Sequence, residues 1–526
     1  MAKLPGVWLL IILLTAGADA AAANSEPTPG NPDREQAGES AQEKAIRKVR
    51  KQLEREPGNS SVRLDLARNL AWAGRYAEAR QECQRVQSDS RHAETVYQAR
   101  KLEAQVLSWS GNQKVAGEIY EQLLAERPND VDLKVGLANT RAWSGWSREA
   151  EAQYKSVLRS GPSPEAELGL AEIYRGDGRW DDAEKRYNNV LRARRKDPWG
   201  IRGLNELRRS TMVTLKVWPG FFRDSTNFDR DTYGARVDLL KRRRLSIRTG
   251  LVRSRYEQAN GEQIYRTTLP LQGTLQVGPM FSLSAGISRN NYTEAPDTTS
   301  FFVHGLLAPG GDRVRIRLGF DRYDLIDGAD PLEEYLYNQA KSIEVARQEI
   351  NVDEVRAGIF LRFTGRLTLD ADLARGEYSD GNLRTMSYSR LSYRLPTKPR
   401  VDLYGAFYYQ NVNDSSPLYW DPSNFQSYAL GARWEDAWEG RHHFALEGQI
   451  AFHPNEEDLL GGQIQGYTEW DLNDYLSLRG SAMYLTSPQD RSGTGEDYDA
   501  YYISGALIAR FPHRGSQPRT RGTGNR

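Results

Sequence analysis

The residues with the most distinctive chemistry are charged side chains that occupy every second position of short segments in the second half of the chain. Arg313, Arg315 and Arg317 have this spacing, and Asp370 and Asp372 repeat it further on. Side chains two apart lie on the same face of a β-strand. Rows of this kind would hold a polar or charged ligand weakly at many points. The other candidate ligand contacts are Arg356, Arg362, Asp402, Arg433, Glu447, Glu469 and Arg479.

These residues offer little support for catalysis. Asp370 and Asp372 share a face, but no neighbour in the sequence would shift one of their pKa values to make an acid and base pair. His442, His443 and His453 lie at the two ends of one segment, too far apart for one metal ion. No nucleophile elbow, phosphate loop or zinc-protease motif occurs. We therefore predict no catalytic, cofactor-binding or metal-binding residue, and mutual pairing of the charges is the alternative to ligand binding.

The charges lie in segments in which apolar and polar residues alternate with period two, from Thr211 onward. In the clearest case Val355, Ala357, Ile359, Leu361 and Phe363 alternate with Glu354, Arg356, Gly358 and Arg362. One apolar face per strand predicts an antiparallel barrel over 211–511, which separates lipid from a polar lumen, or else a soluble strand-rich domain. About sixteen segments are centred near residues 217, 237, 250, 270, 287, 303, 318, 357, 372, 388, 406, 429, 447, 466, 481 and 506.

The connections between these segments differ in length. Several are short: Lys241 to Arg244, Gly278-Pro279, Pro309 to Gly311, Thr364-Gly365, Pro396 to Pro399 and Asn473-Asp474. Others are long: Leu325 to Glu349, Asn413 to Asn424 and Ser487 to Asp499. Short turns on one side and long loops outside are typical of an outer-membrane barrel, and an even number of strands returns the chain to its starting side.

Aromatic residues near the segment ends suggest interface girdles. They are Trp218, Phe221, Phe222, Tyr408, Tyr409, Trp434, Trp438, Tyr501 and Tyr502. The last segment alternates from Tyr501 to Phe511 and ends on an aromatic residue. That ending resembles the terminal-strand signal by which barrel proteins are recognised for insertion.

The first half, residues 43–210, repeats every 33 to 37 residues. Gly74, Gly111, Gly145 and Gly178 are followed five residues later by Ala79, Ala116, Ala150 and Ala183, and nine residues later by Cys83, Tyr120, Tyr154 and Tyr187. Glycine permits the turn between two helices, alanine their close approach, and the larger residue fills the groove. This tetratricopeptide pattern predicts an antiparallel helix-pair solenoid with a concave surface for partners.

Two residue types in the repeats could suggest chemistry. Trp72, Trp109 and Trp143 each lie two residues before a glycine, and their repetition favours a packing role over a platform on which sugars stack. Cys83 is the only cysteine and occupies the position of the large groove residue, so we predict a buried, inert thiol.

The ends of the chain are compositionally distinct. Residues 1–22 have a basic start, a short apolar run and small residues at the cleavage site, which predicts a secretory signal peptide. No cysteine for a lipid anchor follows it. Residues 23–42 predict a disordered linker, and 512–526 a disordered basic tail. Residues 211–511 carry 33 Lys and Arg against 40 Asp and Glu, so no block is basic enough to predict nucleic-acid binding.

The chain resembles the outer-membrane exporters of biofilm exopolysaccharides. The resemblance lies in repeats that contain Leu-Ala-Trp-Ala-Gly-Arg-Tyr (Leu70 to Tyr76) and directly precede an array of sixteen segments. Those exporters serve poly-N-acetylglucosamine, cellulose and Pel-type polymers, and join a periplasmic tetratricopeptide domain to a sixteen-stranded porin. Tyr419 to Phe425 also looks like the aromatic-x-Pro-x-x-aromatic segment of such barrels. This chain has about four repeats, fewer than the long cellulose and Pel exporters carry. Its repeat number is therefore closer to that of smaller repeat-plus-barrel proteins.

The resemblance implies a multidomain protein, an N-terminal α-solenoid followed by a C-terminal transmembrane β-barrel of about 16 strands. It implies passive export of a polysaccharide without a cofactor, contact with outer-membrane lipid, and periplasmic or inner-membrane protein partners bound by the repeats. Two other functions remain open: an outer-membrane scaffold with a plugged barrel, and an outer-membrane enzyme that acts on lipid or glycan. The sequence does not identify the polymer or its charge.

Overall fold

The computed structural model describes residues 41–242, 245–278, 280–309, 313–326, 340–397, 399–438, 441–455, 460–487 and 498–512. The predicted signal peptide (1–22), nearly all of the predicted linker (23–42) and the predicted tail beyond Pro512 lie outside the described residues. Parts of several predicted turns do so too, as do most of the predicted loop Ser487 to Asp499 and the middle of the loop Leu325 to Glu349.

Ten helices form the first half of the described chain, and the backbone changes to strand at Val213. The helices are α1 (Ala41–Arg55), α2 (Ser60–Trp72), α3 (Tyr76–Asp89), α4 (Ala93–Trp109), α5 (Gln113–Glu126), α6 (Val131–Trp143), α7 (Ser147–Ser160), α8 (Pro164–Gly176), α9 (Trp180–Ala193) and α10 (Pro198–Thr211). Consecutive helices pack against each other along the whole series. This nearest-neighbour packing is that of an α-solenoid.

The turn within each helix pair is built around the repeated glycine. Gly74, Gly111, Gly145 and Gly178 have φ values of 77°, 86°, 82° and 69°, which are left-handed values that favour glycine. In the first turn the amide of Arg75 donates to the carbonyl of Leu70 at 2.9 Å. The residue after each of the other three glycines makes the equivalent bond. This Schellman arrangement satisfies the last carbonyls of the first helix and reverses the chain.

Helix pairs are joined to the next pair by a large residue that lies against a glycine. The rings of Tyr120, Tyr154 and Tyr187 leave no room for a Cβ at Gly136, Gly169 and Gly203, respectively, each about sixteen residues later. In the first repeat the smaller Cys83 is followed sixteen residues later by Ala99, and both are fully buried. Size complementarity between neighbouring repeats therefore fixes how closely their helices approach. Tyr187 lies against Gly203 in the same way as the earlier tyrosines lie against their glycines. Helix α10, which contains Gly203, is therefore the first helix of an incomplete fifth pair.

Side-chain caps start several first helices of these pairs. Asp130 precedes α6, and its carboxylate accepts from the Leu133 amide at 3.1 Å and from the Tyr97 hydroxyl at 2.9 Å. Lys101 of α4 lies 3.2 Å from the same carboxylate. Burial opposes ionisation, but these donors hold the pKa of Asp130 below its usual value. The cap thus also connects the second repeat to the third.

The second half of the chain is a closed antiparallel barrel of sixteen strands, as predicted. The strands are β1 (Val213–Asp224), β2 (Asp229–Arg242), β3 (Leu245–Glu257), β4 (Gln263–Val277), β5 (Phe281–Tyr292), β6 (Thr298–Leu307), β7 (Val314–Asp324), β8 (Asn351–Arg362), β9 (Leu367–Tyr378), β10 (Leu383–Arg394), β11 (Arg400–Val412), β12 (Phe425–Trp438), β13 (His442–Phe452), β14 (Leu460–Asp471), β15 (Leu476–Ser487) and β16 (Tyr498–Phe511). Each strand pairs with its sequence neighbours, and β1 pairs with β16 to close the sheet.

Because the strands run antiparallel in sequence order, turns after even-numbered strands lie at one end of the barrel and those after odd-numbered strands at the other. The first group includes the turn between Arg362 and Leu367, and we call this the short-turn end. The second group includes the connection from Asp324 to Asn351, which carries the short helix α11 (Glu344–Arg347). Within the described residues no helix combines the length and the apolar composition needed to cross a membrane.

Candidate functional site

The outer and inner faces of the barrel wall have opposite chemistry. Large apolar side chains are exposed on the outer face, among them Leu269, Leu318, Leu373, Leu430 and Ile450. Buried polar side chains occupy the inner face, among them Arg266, Asn290, Asp321, Glu354, Arg384 and Gln410. A water-soluble domain has the reverse distribution. An apolar exterior around a polar interior is the arrangement of an outer-membrane barrel.

The alternation of side chains between the two faces of each strand also corrects the predicted aromatic girdle. Trp218, Phe222 and Tyr502 are buried on the inner face, whereas Phe221 and Tyr501 are exposed on the outer face. Adjacent residues of one strand cannot both contact lipid, because successive side chains alternate between the faces. The prediction that all these aromatic residues lie in an interface girdle is therefore wrong for these three inward residues and for Tyr408, whose hydroxyl donates to the inward Gln410.

The predicted aspartate pair shares one arginine. A guanidinium nitrogen of Arg317 on β7 lies 2.9 Å from a carboxylate oxygen of Asp372 on β9, and the same nitrogen contacts Asp370. Strand β8 lies between β7 and β9, and a Cβ at its Gly358 would collide with the Asp372 carboxylate. Glycine therefore lets this ion pair reach across the intervening strand.

Other predicted charges of the inner face form similar groups. Asp402 accepts from Arg400 at 2.6 Å and from Arg394 at 3.2 Å. The guanidinium of Arg356 lies 3.3 Å from the carboxylate of Asp321 and also contacts Glu354. These two groups leave each predicted residue bonded to charges of opposite sign.

The remaining predicted carboxylates are shared by two arginines each. Glu447 lies 2.7 Å from Arg390 and 3.4 Å from Arg433. Glu469 lies 2.6 Å from Arg479 and 3.2 Å from Arg510. All five predicted carboxylates thus contact guanidinium groups, which favours the alternative that these charges pair with one another. The resulting wall is polar, and its predicted carboxylates are paired with arginines.

Three predicted arginines lie toward the short-turn end. Arg313 places its guanidinium 3.8 Å from the ring centroid of Trp146 in the solenoid, and its Nε donates to the carbonyl of Arg362 at 3.4 Å. Arg315 lies over the ring of Phe360 at 5.1 Å. The side chain of Arg362 lies beside Gly145 of the solenoid, so all three arginines lie at the end of the barrel that meets the solenoid.

Sequence reasoning missed most partners in these networks. They are Asp321, Glu354, Arg384, Arg390, Arg394, Arg400 and Arg510. It also missed a cavity of about 200 Å³ between inner-face side chains of β3 to β7. There His304 Nε2 lies 2.8 Å from an Asp321 oxygen, beside Arg248, Gln272 and Phe302. The alternation that identified the predicted charges places these residues on the same face, so it could have found them.

At the opposite end, the connection between β7 and β8 folds against the inner face. Its Ile343 and Val345 are buried in an apolar cluster with the inward residues Tyr256, Val352 and Tyr378. The cluster also contains Phe228, Ile264, Tyr323, Leu325, Ile326, Ala340, Ala346, Ile350, Val412 and Tyr419. A long loop therefore narrows this end of the barrel with apolar side chains.

The segment predicted from Tyr419 to Phe425 fixes this loop. Tyr419 forms a backbone bridge with Ala340, and its ring packs edge-on against Tyr378, with centroids 4.9 Å apart. Asp421 lies 3.1 Å from Lys341. Burial opposes ionisation of Asp421, but hydrogen bonds from the Ser416 amide and neighbouring groups lower its pKa. An ion pair between the two loops therefore supports the apolar contact.

The solenoid lies across the short-turn end. Helix α10 leads directly into β1, and its Arg209 pairs with Asp471 at the end of β14. Further along the solenoid, Arg148 donates to the carbonyl of Ala308 after β6 at 3.3 Å. Arg366, in the turn between β8 and β9, donates to the carbonyl of Ser110. Since β1 and β9 are on opposite sides of a closed sixteen-strand barrel, the solenoid reaches from one side of the opening to the other.

The repeated tryptophans depart from the packing prediction. Trp72 and Trp143 are 47% and 44% exposed. Each of these two residues ends the first helix of its pair, and nearly half of its side chain is not covered by other repeats. Trp109 is half-buried and lies 6.5 Å from the Tyr76 ring. Trp146, which was not singled out, is 45% exposed.

Comparison with known proteins agrees with the tetratricopeptide repeats in the first part of the chain. A tetratricopeptide repeat model matches residues 39–102. Cellulose synthase operon protein C of Xanthomonas axonopodis pv. citri (strain 306) is 27% identical over 168 residues, which are 32% of this chain and 10% of that protein. The chain thus matches about one tenth of the length of this curated relative.

Two solved structures are similar to separate parts of the chain. A bacterial polysaccharide outer membrane secretin is 12% identical with a TM-score of 0.46, over 57% of this chain and 99% of that one. A thermophilic tetratricopeptide repeat protein from Thermus thermophilus is 20% identical with a TM-score of 0.28, over 32% of this chain and 90% of that one. The family match at residues 39–102 and the closed barrel of sixteen strands confirm the predicted combination of tetratricopeptide repeats and a sixteen-strand barrel.

Proposed function

We propose that this tetratricopeptide-bearing outer-membrane barrel is a porin that exports an exopolysaccharide. The observation that carries the proposal is the solenoid's position across the short-turn opening, from helix α10 at β1 to Ser110 at the turn after β8. Any molecule that enters the barrel at this end passes the solenoid. Such an arrangement suits a long, flexible substrate that needs guidance before it enters a pore.

The proposed orientation puts the solenoid in the periplasm. Outer-membrane barrels have short periplasmic turns and longer external loops. The solenoid contacts short turns, those after β6 and β8, whereas the long connection from Asp324 to Asn351 lies at the other end. A signal peptide at 1–22, a repeat domain at 43–210 and a barrel at 211–511 belong to the same proposal.

A polysaccharide is the proposed cargo for two reasons. A curated relative that matches the chain is named for a cellulose synthase operon. The inner wall also presents ion-paired groups, such as Arg317 with Asp370 and Asp372, whose remaining hydrogen-bonding capacity suits sugar hydroxyls. Weak contacts at many points allow a polymer to move on. The twelve charged residues predicted from the sequence are the proposed contacts.

Transport would be passive. In this proposal the polymer is driven by its own synthesis at the inner membrane, and the repeats bind periplasmic or inner-membrane proteins that make or modify it. The protein then acts as a conduit without catalysis. Tetratricopeptide solenoids present extended concave surfaces suited to such partners.

Single-channel recordings test the proposal directly. The full-length protein in planar bilayers should conduct ions, and polysaccharide added on the solenoid side should block the current reversibly. Dextran of similar length is the control for non-specific occlusion. A barrel that stays sealed under all conditions would rule out export through the lumen.

A second candidate is an outer-membrane scaffold with a plugged barrel. The apolar cluster around Ile343 and Val345 at the long-loop end favours it. Shortening the β7–β8 connection by deleting residues 340–348 separates the two candidates. A porin should already conduct as the wild type and gain conductance when the narrowing is removed, whereas a scaffold should be sealed as the wild type and conduct only after the deletion.

A further inference from the structure

Four arginines form a row on the outer face of the barrel, near its long-loop end. They lie on alternate strands: Arg253 on β3, Arg289 on β5, Arg322 on β7 and Arg375 on β9. On each of these strands the arginine is the fifth outward residue, and the outward residues before it are apolar except for Thr249. We call these four arginines the arginine row.

The pairing of the strands places the arginine row outside the barrel. Residues directly opposite each other in neighbouring strands lie on the same face of the sheet. The residues opposite the four arginines are large and are themselves exposed on the outer face: they are Tyr233, Leu269, Phe301 and Val355, in strand order. The arginines are exposed as well, and the side chains of Arg289 and Arg322 are 52% and 43% exposed.

The position of the row along the strands matches the edge of an apolar membrane band. The first and fifth outward residues of a strand are eight residues apart, which is about 26 Å of strand. Strands of such barrels tilt by about 35–45°, so this length spans roughly 20 Å along the barrel axis, and the apolar band is about 25 Å tall. Arginine side chains extend their charged groups toward water from such a position. The guanidinium groups therefore lie at the level of lipid headgroups.

The charges of the row are available to a ligand. Among the described residues, no carboxylate pairs with Arg253 or Arg375, and the Arg253 guanidinium lies 5.4 Å from the ring centroid of Tyr265. Arg289 and Arg322 each contact one exposed carboxylate, those of Asp297 at 3.2 Å and Asp353 at 3.5 Å. Exposed ion pairs contribute little stability. An anion with a higher charge can therefore compete with these two aspartates.

The row occupies one side of the barrel only. The fifth outward residues of the other odd-numbered strands, β1, β11, β13 and β15, are Phe221, Tyr409, Ile450 and Tyr484. Aromatic and apolar residues at this level suffice to hold a barrel at a membrane interface. Four arginines on one side therefore indicate a specific anionic partner rather than general anchoring.

The chemistry of the row fits a lipid that carries more than one phosphate. A guanidinium group binds phosphate through two parallel hydrogen bonds. Alternate strands lie about 9–10 Å apart, so neighbouring arginines of the row cannot share one phosphate but can each hold one. Lipid A, the anchor of lipopolysaccharide, carries two phosphates at opposite ends of a disaccharide. An outer-leaflet phospholipid with a single phosphate would use only one arginine.

We infer that the arginine row binds the two phosphates of lipid A on one side of the barrel. This inference rests on the orientation in the proposed function, which puts the long loops outside the cell. The apolar residues below the row contact the acyl chains of the same lipid. The half of the wall from β3 to β9 thus carries a lipopolysaccharide site that the other half lacks.

Native mass spectrometry of the full-length protein in detergent tests the site, with bisphosphorylated lipid A, monophosphoryl lipid A and phosphatidylglycerol as probes. Bisphosphorylated lipid A should bind most tightly to the wild type. The Arg253→Gln/Arg375→Gln double variant should bind it at least about tenfold more weakly, because two groups that make charge-assisted hydrogen bonds are lost. Lysine at both positions should keep part of the affinity, since it retains the charge but not the two parallel bonds.

The Arg50→Gln/Arg68→Gln double variant is the matched control. It removes the same charge from exposed positions of the solenoid and should bind lipid A as the wild type does. Wild-type affinity in the Arg253→Gln/Arg375→Gln variant would overturn the inference. Equal binding of phosphatidylglycerol and lipid A would assign the row to phospholipids in general and overturn it too.

Two further comparisons need no variant of the barrel. If the wild type bound monophosphoryl lipid A as tightly as the bisphosphorylated form, the two-phosphate site would be wrong. Channel conductance separates this inference from the proposed function. A wild type that conducts but does not bind lipid A contradicts only the arginine site, whereas a sealed wild type that binds lipid A contradicts only export.

Discussion

The solenoid and the barrel use the same charged residue types in opposite places. In the solenoid, ion pairs such as Arg127 with Glu94 lie at the surface and link neighbouring helices, while tyrosine, alanine and glycine fill the interior. In the barrel, pairs such as Arg384 with Glu354 are buried inside, while leucines cover the exterior. The comparison shows that the medium outside each wall, water or lipid, decides which face can be polar.

Breaking a buried ion pair of the barrel should have the largest effect. Arg384→Met leaves Glu354 buried without one of its two arginine partners and should reduce the stability of the barrel by about 3–5 kcal/mol. Thermal unfolding followed by gel mobility in detergent measures this loss of stability. Adding Glu354→Gln should recover much of the loss, and a double variant less stable than the single one would contradict the pairing.

The equivalent change in the solenoid is the control for that prediction. Arg50 and Glu78 form an exposed pair, and Arg50→Met should cost about 1 kcal/mol or less. Equal losses at Arg50 and Arg384 would remove the distinction between the two regions.

Adding a charge to the exposed apolar surface should affect the barrel next most strongly. Leu430 is 76% exposed on the outer face, and Leu430→Arg should destabilise the barrel in lipid by about 2–4 kcal/mol, because the bilayer cannot solvate the charge. Val115, an exposed residue of α5, is the matched site in the solenoid. Val115→Arg should change the stability of the solenoid by about 0.5 kcal/mol or less. If Leu430→Arg left the stability of the barrel in lipid unchanged, this face would not contact lipid.

Tight packing should matter most inside the solenoid. Gly169→Ala would place a Cβ against the ring of Tyr154 and should cost about 1–3 kcal/mol through overpacking. Helical circular dichroism during thermal unfolding reports this change. Gly117→Ala is the control, since no atom lies near its Cβ position and alanine favours the helix by up to about 1 kcal/mol. Stabilisation by both substitutions would argue against size complementarity between repeats.

A smaller effect should follow from the charge of a helix cap. The pKa of Asp130 is lowered in the folded state, so its contribution is present above its unfolded pKa of about 3.9 and is lost as the pH falls through the folded value. Asp130→Asn keeps a capping oxygen but removes the charge that pairs with Lys101, so it should cost about 1 kcal/mol or less between pH 5 and 8, and the difference from the wild type should shrink below pH 4. Asp65→Asn, at an exposed residue, is the control, and a difference independent of pH would contradict a role for the carboxylate.

Much of the fold could be predicted because both halves repeat a local rule. All sixteen predicted centres lie within strands, since a wall between lipid and a polar interior forces alternation at every strand. The glycine turns depend on backbone conformation within a few residues, which the sequence reports directly.

Features that depend on distant parts of the chain could not be predicted in this way. The contact of Arg366 with Ser110 joins residues far apart in sequence, and Arg390 reaches Glu447 across two intervening strands. The exposure of Trp72 and Trp143 depends on which surfaces later helices cover, and repetition alone carries no such information. The apolar cluster around Ile343 likewise requires knowledge of where the long loop folds.

The single cysteine makes the chain convenient for site-specific labelling. Cys83 is fully buried in the solenoid, and burial raises the pKa of its thiol to about 12. Reagents that attack the thiolate should therefore leave the native protein unmodified at neutral pH. A pair of dyes on cysteines introduced at exposed sites of the solenoid and the barrel could then report their separation in a native background, without first removing Cys83.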